Sequence, residues 1–330
     1  MTKPPSALAE ELHAKVQDRR SYEGVIDRLN KASVDKHWEA YADIPWDDPD
    51  LQVDPADPRW TLPPTDRLGG TEWYRSQSVE VQARIGLWRI ASAMKIGLQF
   101  ENLLKRGLLT YAYKLPNGRP EFRYVYHETT EECHHGMMFQ EFVNRTGMPI
   151  RGMPRALSAI AQLVPIIPRL NTELFFVFVL GGEDPIDYVQ RKHLKDGHIH
   201  HPLEEAILKI HIAEEARHIS FARHYLKHHV PTMNRVRRKA LGLFTPIILG
   251  VMARIMLSPP GPMVRHFKIP KDVVREVYNN ESAHTELREC VGKVRDLAAE
   301  LGLITNVSKR IWYAFGIWDT PRVRRAAASR

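Results

Sequence analysis

Two segments of the chain place glutamate and histidine at helical spacing among apolar residues. EECHHGMMFQEF contains Glu132 and His135, and KIHIAEEARHISF contains Glu215 and His218. Residues three or four apart share one face of an α-helix, so each Glu-x-x-His pair can offer a carboxylate and an imidazole to one metal ion. His211 lies one turn before Glu215 and extends the second pair to HxxxExxH. Three metal-ligating groups on one inward stripe are not typical of a solvated helix face.

The Glu-x-x-His spacing is weak evidence by itself, because five such pairs occur in the chain. The pair Glu131/His134 lies about one residue step round the helix from Glu132, and we expect it on a more exposed face. The pair Glu281/His284 lies in the polar segment ESAHTELREC and is interpreted as a surface pair. The apolar neighbours, rather than the spacing, therefore select the candidate ligands.

Two further glutamates stand in apolar helical segments. Glu101 lies in KIGLQFENLLKRGLL, and Glu183 follows ELFFVFVLGG, where Glu173 and Asp184 compete with it. A buried, ionised carboxylate is costly unless it is paired or bound to a metal. Taken alone, Glu101 would be explained as a salt-bridged core acid and His211 as a hydrogen-bonded core histidine.

Taken together, these groups form a different pattern. Lone glutamates on two helices and Glu-x-x-His on two others are the combination found in carboxylate-bridged di-iron or di-manganese centres. Four carboxylates balance the charge of two divalent ions, and mixed oxygen and nitrogen ligands suit iron or manganese. The sequence therefore predicts a dinuclear metal site held by Glu101, Glu132, His135, Glu183, His211, Glu215 and His218.

The elements that must position these residues are helices. Apolar residues at three- and four-residue spacing predict helices over residues 76–108, 127–146, 170–192 and 202–229, and residues 122–126 are the one fair strand candidate. The prediction is an all-α fold with a four-helix bundle core, additional helices and an extended N-terminal arm. We divide the chain into an N-terminal helical segment (1–40), a Pro-, Asp- and Gly-rich arm (41–75), a helical di-iron domain (76–315) and a basic tail (316–330).

Composition limits the other function classes. The formal net charge is +8, but basic and acidic residues are interleaved, so nucleic-acid binding is not expected. Cys133, expected to be buried, and Cys290 lack CxxC spacing, which argues against thiolate zinc and favours a reducing, cytoplasmic environment. The start of the chain lacks the apolar stretch of a secretory signal. The apolar run 240–257 is interpreted as a buried core helix, with a membrane-surface segment or a transmembrane span as alternatives.

The chain resembles the p-aminobenzoate N-oxygenase family (AurF-like) of non-haem di-iron oxygenases. The resemblance rests on DIPWDDP, Glu101, EECHHGMMF, EDPIDYVQR and IHIAEEARHISFAR, over about residues 30–290. It implies a ferritin-like bundle with two iron ions, with manganese as an alternative occupant. It assigns each ligand a role: Glu101 and His135 terminal on one iron, Glu183, His211 and His218 on the other, and Glu132 and Glu215 bridging.

The implied reaction is O2-dependent oxygen transfer, through a peroxo-diferric intermediate, to a small apolar or aromatic amine. Phe139, Phe142 and Phe176 are expected to line the substrate cavity. No flavin or nicotinamide fingerprint occurs, so an external electron donor, a ferredoxin or reductase, is expected, and the predicted assembly is a homodimer. Hydroxylation or desaturation of an acyl chain on the same centre, ferritin-like iron oxidation, and a basic nucleic-acid or membrane protein with a vestigial bundle are the alternatives.

Overall fold

The computed structural model describes residues 21–318, and all regular elements in that range are helical. The predicted all-α fold class is thereby confirmed. The α-helices of the described range are α1 (Tyr22–Asp35), α2 (Glu72–Arg75), α3 (Val79–Ala112), α4 (Pro120–Arg145), α5 (Arg155–Ala161), α6 (Ile167–Leu170), α7 (Thr172–His193), α8 (Pro202–His229), α9 (Arg235–Leu257), α10 (Gly261–His266), α11 (Lys271–Asn279), α12 (Glu281–Cys290), α13 (Gly292–Glu300) and α14 (Asn306–Ala314).

The four long helices α3, α4, α7 and α8 form the bundle. Helix α3 packs along α4, and α7 packs along α8. Three of the four start at or near their expected positions, but α4 begins at Pro120 instead of residue 127. The strand predicted for residues 122–126 is wrong, because Tyr124, Val125 and Glu128 are buried at helical spacing inside α4. Tyr124 and Val125 fill the bundle interior, whereas Phe122 and Tyr126 are exposed on the outer face of the helix.

Apolar clusters fill the bundle on both sides of the glutamate and histidine residues. On α3, Met94 precedes Glu101 and belongs to one cluster, whereas Leu108 follows it and belongs to the other. On α8, Ile207 and Phe221 occupy the same two clusters on either side of the HxxxExxH segment. The polar residues therefore form a layer across the middle of the bundle, with apolar side chains above and below it.

The Pro- and Asp-rich arm folds onto one end of the bundle. It contains two 3-10 turns, Pro49–Leu51 and Pro58–Trp60, each capped by the aspartate before its proline. The indole of Trp60 is buried, stacks on His201 with ring centroids 4.0 Å apart and meets Phe142 edge-on at 5.8 Å. The proposed domain boundaries remain a prediction, and residues 1–20 and most of the predicted tail lie outside the described residues.

Helix α9 carries the apolar run. It packs against α7 and α14, and buries Leu241, Leu249 and Ala253. Its opposite face leaves Phe244 and Val251 exposed, and 39% of its most apolar window is buried. The prediction of a buried core helix therefore holds on one face. The stretch Arg235–His266 is long and apolar enough to cross a membrane, a property that it shares with the core helices of soluble proteins.

Candidate metal centre

All seven predicted ligands are buried, and the structure brings them together in two sets. Within each set, one donor atom per residue lies within 4.8 Å of every other. Each of the seven residues is at most 4% exposed. The two sets are Glu101, His135 and His211, and Glu132, Glu183, Glu215 and His218.

The two glutamates expected to bridge lie at the junction of these sets. The Nδ1 atom of His135 lies 3.5 Å from Glu132 Oε2 and 3.5 Å from Glu215 Oε1. Glu215 Oε1 also lies 3.5 Å from His211 Nε2 and 3.4 Å from His218 Nδ1. Carboxylates in this position can bind two metal ions at once.

Glu183, for which the sequence offered two competitors, lies in the site on a part of α7 that Gly182 lets pack closely against α3. A Cβ atom at Gly182 would lie 1.8 Å from the ring of Phe100, so glycine allows α3 and α7 to approach each other here. The neighbouring Asp184 forms an ion pair with Arg223 instead of facing the site. Glu183 is 3% exposed and neither of its oxygens has a hydrogen-bond partner.

Two histidines of the site are held by carboxylates in a reciprocal arrangement. His135 Nε2 lies 2.8 Å from Glu214 on α8, and His218 Nε2 lies 2.8 Å from Glu131 on α4. Arg217 contacts both carboxylates, at 3.0 Å and 3.4 Å. An ionised carboxylate can only accept, so each Nε2 carries a proton, and each Nδ1 faces the centre. Against the effect of burial, nearby glutamates raise the pKa of both histidines in the absence of metal, and a bound cation would take the place of the proton on Nδ1.

The third histidine, His211, is also held by a polar side chain through one ring nitrogen, but in this case through Nδ1 instead of Nε2. His211 Nδ1 lies 2.9 Å from the side-chain oxygen of Gln190, which leaves Nε2 facing inwards, 3.4 Å from Glu101 Oε1. The resemblance groups His211 with Glu183 and His218, whereas the distances group it with Glu101 and His135. The reason is helical geometry: His211 lies four residues before Glu215 and His218 three after it, so the two rings face opposite ends of the site.

Eight inward-facing donor atoms have no hydrogen-bond partner, and two of them, His218 Nδ1 and Glu132 Oε1, lie 3.1 Å apart. They are buried, and buried polar atoms nearly always have such partners in proteins. Two divalent cations would supply partners to these atoms and neutralise four carboxylates, so the donor set fits the implied pair of metal ions. The atoms concerned are Glu101 Oε2, both carboxylate oxygens of Glu132 and Glu183, Glu215 Oε2, and Nδ1 of His135 and His218.

The electrostatics of the metal-free site reflect this crowding. Burial and the nearby carboxylates raise the pKa of Glu101 and of Glu183 well above the usual range. Burial lowers the pKa of His211 to about 4, so this imidazole is neutral and able to ligate. Burial acts to raise the pKa of Glu131, but the hydrogen bond and charge of His218, together with the charge of Arg217, lower it to about 2.

Sequence reasoning missed the residues that hold the ligands. Glu131 was expected on a more exposed face, and that expectation is wrong, since it is 4% exposed and contacts His218. Glu214, Arg217 and Gln190 were not considered. The available signal was the Glu-Glu doublet, which precedes the histidine in both EECHH and EEARH. In each doublet the second glutamate faces the centre and the first reaches across to the histidine of the other helix.

A cavity of about 340 Å³, open to solvent, lies between α3 and α4. Its lining includes Leu98, Lys105, Cys133 and Gly136. A Cβ atom at Gly136 would lie 3.1 Å from Leu98, 3.2 Å from the Lys105 ammonium and 3.9 Å from Glu101 Oε2, so the cavity wall borders a predicted ligand. Cys133, expected to be buried, is exposed.

The three phenylalanines expected around the substrate do not share one location. Phe139 contacts the site, with its ring centroid 5.1 Å from that of His211. Phe142 packs against Trp60 of the arm, and Phe176 packs in the aromatic cluster with Tyr225. Phe139 therefore borders the predicted ligands, whereas the other two support the two ends of the bundle, and a role for Phe139 in lining the substrate cavity stays a prediction.

A helical bundle with buried glutamate and histidine donors across its middle defines the ferritin-like class of di-iron proteins. The family described as P-aminobenzoate N-oxygenase AurF matches residues 19–302. The chain belongs to this family of di-iron oxygenases and is an oxidoreductase. An uncharacterized protein of Mycobacterium bovis and one of Mycobacterium tuberculosis are each 39% identical to it over 316 residues, 96% of this chain and 93% of theirs.

Proposed function

We propose that the chain is an O2-dependent di-iron oxygenase whose ligands are the seven predicted residues. The observation that carries the proposal is the orientation of the three histidines. Each has its outer nitrogen bonded to Glu131, Glu214 or Gln190. The inner nitrogen of each lies within 3.5 Å of a carboxylate oxygen of another predicted ligand. Hydrogen bonds between purely structural core residues would not leave so many inward donors unpaired.

Two iron ions, when bound, would supply the redox chemistry that activates O2. The chain fixes the donors on four rigid helices, and we propose that His211 serves the iron of Glu101 and His135. The apolar clusters on both sides exclude water from this layer. Glu132 and Glu215, which lie at the junction of the two sets, would be ligands of both ions.

We propose that the cavity beside Gly136 admits a small aromatic amine. Gly136, which lines the cavity, lies next to Glu101, and the walls combine apolar side chains with Lys105. A positive group at the wall favours a substrate that carries an acid group, and Leu98 favours an apolar ring. Electrons would come from an external ferredoxin or reductase, and the active form would be a homodimer in the cytoplasm.

The test is iron content together with conversion of arylamines, each carrying or lacking a carboxylate. We expect about two irons per chain and N-oxidised product, with both lost in Glu215→Ala. The matched control is Glu281→Ala, because Glu281 begins a Glu-x-x-His pair whose side chain is 81% exposed. Iron well below one ion per chain, or equal loss in both variants, would contradict the proposed site.

The access route is tested separately by Gly136→Val. The added side chain would meet Leu98 and Lys105 at the cavity wall. We expect unchanged iron content and a kcat/KM for the amine at least about tenfold lower. Acyl-chain hydroxylation without amine turnover would retain the metal site but contradict the proposed substrate class.

A further inference from the structure

A second cluster of metal-ligating side chains lies where α7 ends and α8 begins. His193 closes α7, His200 lies in the connecting loop, and Glu204 is in the first turn of α8. One donor atom from each lies within 4.8 Å of the other two. We propose that these residues, supported by Asp196, form an additional site for a divalent transition-metal ion that fastens α7 to α8.

The donors face one another at short range. His193 Nε2 lies 2.7 Å from Glu204 Oε1, and the rings of His193 and His200 have centroids 3.9 Å apart. In a tetrahedral site with bonds of about 2.0–2.2 Å, neighbouring donors are about 3.3–3.6 Å apart. Side-chain adjustments of less than about 1 Å between His193 and Glu204 would therefore accommodate an ion.

The second oxygen of Glu204 points to a missing partner. Glu204 is 2% exposed, and its Oε2 atom is buried without a hydrogen-bond partner. An ionised carboxylate with a bare buried oxygen is unfavourable, whereas coordination to a cation satisfies it. A simple ion pair with His193 accounts for Oε1 and leaves Oε2 unexplained.

The outer contacts of His200 are those of a ligating imidazole. Its Nε2 lies 3.0 Å from the carbonyl oxygen of His193 and 3.1 Å from Asp196 Oδ1. The carbonyl oxygen can only accept, so Nε2 carries the proton and Nδ1 of the neutral ring keeps its lone pair. Metal-bound histidines typically donate their other N–H group to a carbonyl or carboxylate in this way.

Charge and position also favour a cation here. Glu204 and Asp196 bring two carboxylates to the cluster, and the carbonyl end of α7 adds partial negative charge. The positive charge of Arg89 also reaches His193, but Asp66 lies 2.5 Å from the Arg89 guanidinium and compensates that charge. Two imidazoles with one or two carboxylates suit Zn²⁺ and similar ions.

The site is separate from the central layer. Glu204 lies seven residues before His211 on the same helix, or about 10 Å along its axis. The two helices that would be joined carry Glu183, His211, Glu215 and His218. The proposed ion would therefore fix the α7–α8 connection without taking part in the central site.

The experiment uses the iron-loaded, full-length protein and Zn²⁺ as the probe. Zinc binding is followed by calorimetry, and both metals are counted after gel filtration. We expect about one Zn²⁺ per chain with the iron retained. The affinity should fall more than about tenfold in His200→Gln and Glu204→Gln. His198→Gln is the matched control in the same loop and should bind like the wild type.

Asp196→Asn covers the case in which a ligand variant fails to fold. The asparagine oxygen can still accept the His198 amide hydrogen bond that Asp196 Oδ1 accepts at 2.7 Å, so the turn is kept while the charge is lost. We expect an affinity about 10–100-fold lower. Zinc bound only in exchange for lost iron, or equal affinity in the wild type and all three variants, would overturn the proposal.

Discussion

The carboxylates that hold the histidines offer the sharpest test of how the site is built. Glu131 accepts from His218 Nε2 at 2.8 Å, and both side chains are buried. We predict that Glu131→Gln and Glu131→Ala fold normally but bind one of the two irons progressively more weakly. In Glu131→Gln the imidazole of His218 keeps a hydrogen-bond partner but loses the negative charge beside it. In Glu131→Ala it also loses the hydrogen bond that fixes its orientation.

The size of the effect follows from the strength of this contact. A hydrogen bond to a charged group contributes about 1.5–3 kcal/mol, roughly twice a neutral one. Glutamine can still accept from Nε2–H, so it loses about half, which is about tenfold in affinity. Alanine loses the whole contact, which is about 100-fold. Glu214→Gln should lower the affinity for the iron that His135 binds by a similar factor, since His135 Nε2 also lies 2.8 Å from Glu214.

The assay is removal of iron by a graded chelator, with the iron remaining per chain measured by elemental analysis. Glu141→Gln is the matched control, because Glu141 lies on the same helix and pairs with Arg145 at its surface. Circular dichroism checks the fold of each variant. Iron retention in Glu131→Ala equal to that of the control would refute the inference that this carboxylate orients a metal ligand.

Two further predictions concern the scaffold. Burial opposes ionisation of Asp66, but the charge and hydrogen bond of Arg89 and two backbone N–H groups outweigh it and lower its pKa. The pair should therefore contribute about 1 kcal/mol above pH 4, and this is lost as pH falls further. Unfolding of wild type and Asp66→Asn at a series of pH values should converge in acid; a constant difference would contradict this. Gly182→Ala should lower the free energy of unfolding by about 1–3 kcal/mol because its Cβ would overlap Phe100, whereas an unchanged thermal midpoint would show that the helices can separate freely.

The candidate ligands could be predicted from the sequence because helical spacing is a local property. Glu132, His135, Glu215 and His218 repeat at three residues within apolar stripes, and that periodicity fixes which side chains face inwards. The cost of burying a bare carboxylate then selected Glu101. No knowledge of how the helices pack was needed for these choices.

The tertiary structure decided which groups meet across helices. The set to which His211 belongs depends on how α8 lies against α3 and α4, and the hydrogen bonds of Glu131 and Glu214 run between helices. The periodicity of one helix cannot predict such contacts, because it shows which face of the helix is buried but not which residues of other helices pack against that face. Periodicity also could not choose between Glu183 and Asp184. In the structure, Gly182 packs against Phe100 and Glu183 lies in the site, whereas Asp184 pairs with Arg223.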